Sequence, residues 1–277
     1  MSGIAVSLLV ALPSFVPLGF SDYDTAVHLA METRRDLVIY FRGNGGELDG
    51  VLLHPEIRWY LHQYVFLCVP ADFEYEGRRL LDHEAFREMQ GRPGLVVVNL
   101  HDPNSPHYQT VISAHPLVKS RYAWVPDYGP EQVRIILNLP NWLSLTQRSM
   151  LYAVSVHPEK PQSIMGTPHP AMMAHCARHS ARQAQMQWQH HADLIAASSN
   201  IQQESGISLA SASEVVAESW GMIFGGENVL EAAFSCVEAW RQSPGHWGAV
   251  SRPSRYYGYD IARGANGTWY ATGIFGY

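Results

Sequence analysis

Three runs of apolar residues constrain this chain more than any other feature: Leu37-Val38-Ile39-Tyr40-Phe41, Tyr64-Val65-Phe66-Leu67-Cys68-Val69 and Leu95-Val96-Val97-Val98-Asn99-Leu100. Each has strand length, and a strand without polar alternation has to be covered on both faces. The intervening stretches read as helices. Ser21-Asp22-Tyr23-Asp24 offers caps for a helix through Ala26, Leu29, Ala30 and Met31; a second leads through Ile57, Tyr60 and Leu61; a third runs from Leu80 to Met89. The breaks Arg42-Gly43-Asn44-Gly45-Gly46 and Gly91-Arg92-Pro93-Gly94 separate strand from helix. This alternation predicts an α/β layer architecture with at least two parallel strands. With 277 residues, 47% of them apolar, the chain is long enough for two cores. A net charge of -6, with no run of Lys or Arg, argues against nucleic acid as a partner.

The first charged side chain is Asp22, and the apolar stretch Ile4 to Leu12 precedes it. Such a stretch is too short to cross a hydrocarbon core of about 30 Å as a helix, so no spanning segment is expected. It fits the apolar region of an export signal, although no Lys or Arg precedes it. Residues 1–20 are therefore read as an export signal, and the expected location is extracytoplasmic. Cys68, Cys176 and Cys236 form no CxxC motif, and their odd number argues against a disulfide framework. Prolines at 140, 158, 161, 168 and 170 mark residues 139–170 as a connector between a first block, 21–138, and a second, 171–277.

The order of elements in residues 21–138 resembles the thioredoxin fold. In that family the loop after the first long strand holds the redox CxxC. Here it reads Arg42-Gly43-Asn44-Gly45-Gly46-Glu47, without a nucleophile, so thiol–disulfide exchange at that position is lost. Pro93 stands where the family carries a cis-proline. Cys68 lies in an apolar run and reads as a packed thiol.

In the second block Pro170-Ala171 opens a helix expected to reach at least Ala197, since no Gly or Pro interrupts it. Glu214 to Trp220 forms a short element, and Asn228 caps a helix through Leu230, Ala233, Phe234, Val237 and Trp240, which Ser243-Pro244-Gly245-His246-Trp247 stops. Tyr256 to Ala262 and Thr268 to Phe275 read as two strands joined by an Asn266-Gly267 turn.

Trp240-Arg241-Gln242-Ser243-Pro244-Gly245-His246-Trp247, with Tyr257-Gly258-Tyr259 and the run Gly267 to Gly276, resembles the end of a CAP domain. This superfamily comprises the cysteine-rich secretory, antigen 5 and pathogenesis-related proteins, and the likeness is to its short bacterial form. The resemblance implies a three-layer α-β-α sandwich over residues 171–277. It also implies a cleft built from two histidines and an acidic residue, which in some members binds a divalent metal. His246 matches one histidine. His191 is preferred for the other, with His190 open. Glu218 and Glu227 compete for the acid: Gly226-Glu227-Asn228 copies the family's letters, but Asn228 is needed as a cap, which favours Glu218. The family's second acid has no counterpart in Arg241-Gln242, and its disulfides are absent.

Two neutral imidazoles and a carboxylate, here His191, His246 and Glu218, suit zinc at about 2.0–2.2 Å with one position open for water. His175 and His179 share a helix face but lack an acidic neighbour between them, and read as polar surface or helix-to-sheet contacts. Tyr256, Tyr257, Tyr259, Trp269 and Tyr270 suggest a sugar platform, yet strand alternation sends half of them to each face. The expectation is an exported, non-redox thioredoxin-like domain fused to a CAP-like domain. It would bind a ligand (cell-wall glycan, lipid or peptide) in a cleft of His190, His191, Glu218 and His246, with Trp240 and Trp247 as apolar walls. The alternative is a metal-assisted hydrolase of peptides or cell-wall fragments in the same cleft. A thiol oxidoreductase using Cys68, Cys176 or Cys236 is the third reading.

Overall fold

A computed structural model describes residues 20–220 and 226–277; the expected export signal lies almost wholly outside them. In the first half, helix α1 (Tyr23–Thr33) leads to strand β1 (Leu37–Arg42), helix α2 (Pro55–Leu61), strand β2 (Val65–Pro70), strand β3 (Gly94–Val98), strand β4 (Val111–Pro116) and helix α3 (Pro130–Asn138). Asp22 caps α1, its carboxylate accepting from the Thr25 N–H. The strands form one sheet in the order β2-β1-β3-β4. The pair β1–β2 is parallel; β3 runs antiparallel to both β1 and β4. The predicted helix from Leu80 to Met89 is two short 3-10 segments, Leu80–Asp82 and Glu84–Met89. Among the described residues no peptide bond is cis, Arg92–Pro93 included.

Alternation along β1 shows why its sequence is apolar throughout. Leu37, Ile39 and Phe41 pack with Ala26 and Ala30 of α1 in one cluster, while Val38 and Tyr40 enter a second, larger one on the opposite face. That larger cluster continues through α3 into the second half of the chain, so one core joins the two sheets.

Proline spacing marks 139–170 as a connector, but its middle is the buried helix α4 (Leu145–Ser155), where residues 147–154 are all buried. Ser144 and Gln147 form a capping box that starts it. Helix α4 packs against β4, against helix α7 (Val229–Arg241) and against strand β7 (Tyr256–Arg263), which makes it the wall between the halves. Its Arg148 is 1% exposed and, among the described residues, has no carboxylate within hydrogen-bond reach. The guanidinium instead donates to Ser113 Oγ at 2.7 Å, to the Ile136 carbonyl at 2.9 Å and to the Leu139 and Pro140 carbonyls, closing the C-terminal end of α3. Burial pulls this guanidinium down to about 10, so it stays charged at neutral pH.

The second half begins with strand β5 (Thr167–Pro168) and helix α5 (Pro170–Met186), followed by helix α6 (Leu194–Ser205) and strand β6 (Ala212–Glu218). After α7 come helix α8 (Pro244–Ser251), strand β7 and strand β8 (Trp269–Gly276). The sheet order is β5-β7-β8-β6, with β7–β8 and β8–β6 antiparallel and β5–β7 parallel. Helix α5 covers one face; α4 and α7 cover the other. The helix expected to reach Ala197 ends at Met186, because Gln187 takes a left-handed conformation (φ 52°) and Asp193 then caps α6. Likewise Ser243-Pro244 both follows α7 and starts α8, with Ser243 at the N-cap and Pro244 in the first turn.

Replacing Arg148 with Met should destabilise the protein by about 3–5 kcal/mol, because the Ile136, Leu139 and Pro140 carbonyls lose their buried donor. Urea denaturation of the two proteins at neutral pH measures it; a loss below about 1 kcal/mol, the size of a surface contact, contradicts the account.

Candidate functional site

The break at Gln187 creates the loop 187–193, which folds back across the end of the second sheet. Two α5 side chains hold its backbone. Gln183 Oε1 accepts from the His190 N–H at 3.2 Å, and His179 Nε2 donates to the His190 carbonyl at 2.9 Å. Gln183 is itself fixed through its amide to Thr272 Oγ1, which also accepts from Ser180. A third hold comes from β6, where Glu214 Oε2 accepts the Ala192 N–H at 2.8 Å.

Glu214 has no side-chain exposure and lies at the centre of a histidine cluster. Its Oε2 also accepts from His191 Nδ1 at 3.1 Å. Its Oε1 is 3.6 Å from His175 Nε2 and 3.9 Å from His179 Nε2. Oε1 and His175 Nε2 have no closer hydrogen-bond partner. The His175 and His179 rings lie nearly parallel, one turn apart on α5, with centroids 6.0 Å apart. His246, in the first turn of α8, brings its ring to 5.6 Å from that of His191. Imidazoles from α5 and from the loop thus gather around one carboxylate of β6, and His246 of α8 joins them through the His191 ring.

Burial alone would raise the Glu214 carboxyl. The nearby His175 ring, the hydrogen bonds from the Ala192 N–H and His191, and the His179 ring beside it outweigh that effect and hold it below the ordinary carboxylate value. Burial pushes His179 down, against the opposing pull of Glu214. His246 is lowered by burial and by His191. Because Glu214 occupies Nδ1 of His191, the free acceptor of the neutral ring is Nε2, on a side chain 52% exposed.

The structure brings His191 and His246 together and sets the ring of His190 between Trp188, 5.3 Å away and nearly parallel, and His179. It does not bring Glu218 or Glu227 to them. Glu218 is exposed at the end of β6, about 13 Å along the strand from Glu214. Glu227 is buried against Arg121 of the first half. The carboxylate beside His191 is Glu214, which with Glu218 flanks the apolar run Val215-Val216-Ala217. His175 and His179, expected as surface or sheet contacts, belong to the cluster. Trp240 is fully buried and lines no cleft. Trp247 turns to the connector, donating from Nε1 to Glu159 Oε2 at 2.7 Å and packing on His157. Tyr257, Tyr259, Trp269 and Tyr270 are buried, so the expected aromatic platform is core.

Among the described residues no group of three or more His, Cys, Asp or Glu side chains is arranged to hold a metal ion. The set His191, Glu218 and His246 does not fit zinc, since the carboxylate is remote from both imidazoles. The three cysteines are free; burial raises the thiols of Cys68, Cys176 and Cys236, against the thiolate character that exchange needs. No family model, curated protein or solved structure matches this chain.

A carboxyl held below its unfolded value stabilises the fold fully above that value, and the contribution is lost as pH falls through the folded one. Glu214→Gln should therefore cost about 2–4 kcal/mol at neutral pH, with the gap to the parent closing below about pH 4. Urea unfolding across this range tests the sign; a gap that widens with acidity contradicts it.

Proposed function

We propose that this chain is an exported binding module in which a thioredoxin-like domain without redox cysteines supports a CAP-like domain, and that His191 and His246 face the ligand with Glu214 buried behind His191. The convergence of these three residues from separate elements carries the reading. Strand order β2-β1-β3-β4 supports the thioredoxin-like half. Helices against both faces of the second sheet support a CAP-like α-β-α sandwich. Among the described residues no helix is long and apolar enough to cross a membrane.

A cell-wall glycan suits this site better than a lipid. Trp188, 62% exposed, presents an indole on the loop that carries His191. A flat aromatic face beside imidazoles offers both apolar contact and donors to a hydroxyl-rich ring. Among the described residues no group of three or more His, Cys, Asp or Glu would hold a metal for hydrolysis.

Co-sedimentation with purified insoluble peptidoglycan is the test. The full chain should be retained, and Trp188→Ala and His246→Ala should each lower retention at least about fivefold without unfolding, the loss of one stacking or hydrogen-bonding contact. No soluble fragments should be released. Equal retention of parent and variants removes the site from the function; fragment release abolished by His246→Ala would establish a hydrolase instead.

A further inference from the structure

A cavity that shares no residue with the histidine cluster lies where the two halves meet. It is a cleft of about 270 Å³. Its walls come from the segment after the Gly-rich loop (Glu47, Leu48), from the chain after β4 (Leu117 to Ser120 and Val125 to Tyr128), and from the first two turns of α7. Leu48, Leu230 and Phe234 are almost fully buried and form an apolar floor, which Val125 and Tyr128 extend. This volume falls just under the range of about 300–1,000 Å³ common for drug-sized ligands, so it suits one long side chain or a small molecule of that size.

The charges on the walls select the sign of the occupant. Glu47, Asp127 and Glu231 line the cleft against the single ammonium of Lys119, a balance of 1 − 3 = −2. Among the described residues neither Glu47 nor Asp127 takes part in an ion pair, while Arg121 pairs with Glu227 and reaches Glu231 at 4.0 Å, so Glu231 shares one cation with Glu227. The start of α7 offers little to an anion. The Val229 N–H donates to Glu88 Oε2 at 2.7 Å, and the Glu231 N–H donates to Asn228 Oδ1 at 2.9 Å. An aliphatic stem fits the apolar floor, and a cationic head is drawn to the carboxylates and to the rings of Tyr128 and Phe234.

We propose that this interdomain cleft binds a guanidinium or ammonium group carried on an aliphatic stem. Such a ligand touches both halves of the chain at once, and charge-assisted hydrogen bonds to Glu231 and Asp127 give it specificity over a neutral isostere. Glu231 is half-buried, and burial raises its carboxyl against the opposing effects of Ser120 and Arg121; a bound cation favours its ionised form.

The experiment is a titration of the full chain by two-dimensional NMR with Nα-acetyl-arginine amide, its uncharged citrulline counterpart, and agmatine. Saturable shifts at Leu48, Val125, Leu230 and Phe234 with the two guanidinium compounds, and none with citrulline, are expected. Tighter binding of agmatine identifies a free amine as the ligand; tighter binding of the arginine amide identifies a peptide side chain. Glu231→Gln should weaken the interaction about tenfold. Asp127→Asn, at an exposed position, should weaken it with the fold unaffected, and Val125→Trp should abolish it by filling the space. Equal binding of citrulline, or no saturable shift at these four residues with either cation, overturns the proposal.

Discussion

A carboxylate with no exposed surface must find its compensation inside the protein, and Glu214 finds it in imidazoles and one backbone N–H. That requirement organises the end of the second sheet. It draws the loop 187–193 down onto β6, it fixes the side of His191 that faces inward, and it sets His175 and His179 of α5 against the same group. His246 then meets an imidazole whose orientation is already decided. The histidine cluster is thus a by-product of satisfying one buried charge, with its imidazoles drawn from a helix, a loop and a second helix.

The same logic operates between the halves, with the sign reversed. Arg148 is a buried cation satisfied by a hydroxyl and the carbonyls at the end of α3, with no carboxylate needed. Its position on α4 makes the supposed connector the most thoroughly buried helix of the fold. The two halves share a core that runs from Val38 and Tyr40 of β1 to Trp240 of α7 and Phe275 of β8. Their relative position is consequently set by a packed interface, beside which the acidic cleft lies.

Much of this was legible in the residues. The apolar strands, the Asn228 cap and the closing hairpin all follow from local patterns, because period and turn chemistry act over a few residues. What escaped depended on longer range or on rarer conformations. Gln187 ends α5 in a left-handed state that glycine normally marks, so the loop bearing His191 was read as helix. Ser144-Leu145-Thr146-Gln147 spells a capping box, but the prolines around it suggested a linker. Ser243-Pro244 signals both a stop and a start. Glu214 was passed over because its partners lie 23 to 39 positions away in sequence, and only strand β6 lying beneath α5 brings them within reach.

The measurement that bears most directly on this account is the nitrogen NMR spectrum of the His191 ring in the parent protein and in Glu214→Gln. In its neutral form the parent ring should carry its proton on Nδ1, protected from exchange, with Nε2 the nitrogen that responds to ligand. The variant should lose that preference and expose the Ala192 amide to exchange. A parent ring protonated on Nε2, or a tautomer indifferent to the substitution, would mean that Glu214 does not organise the site.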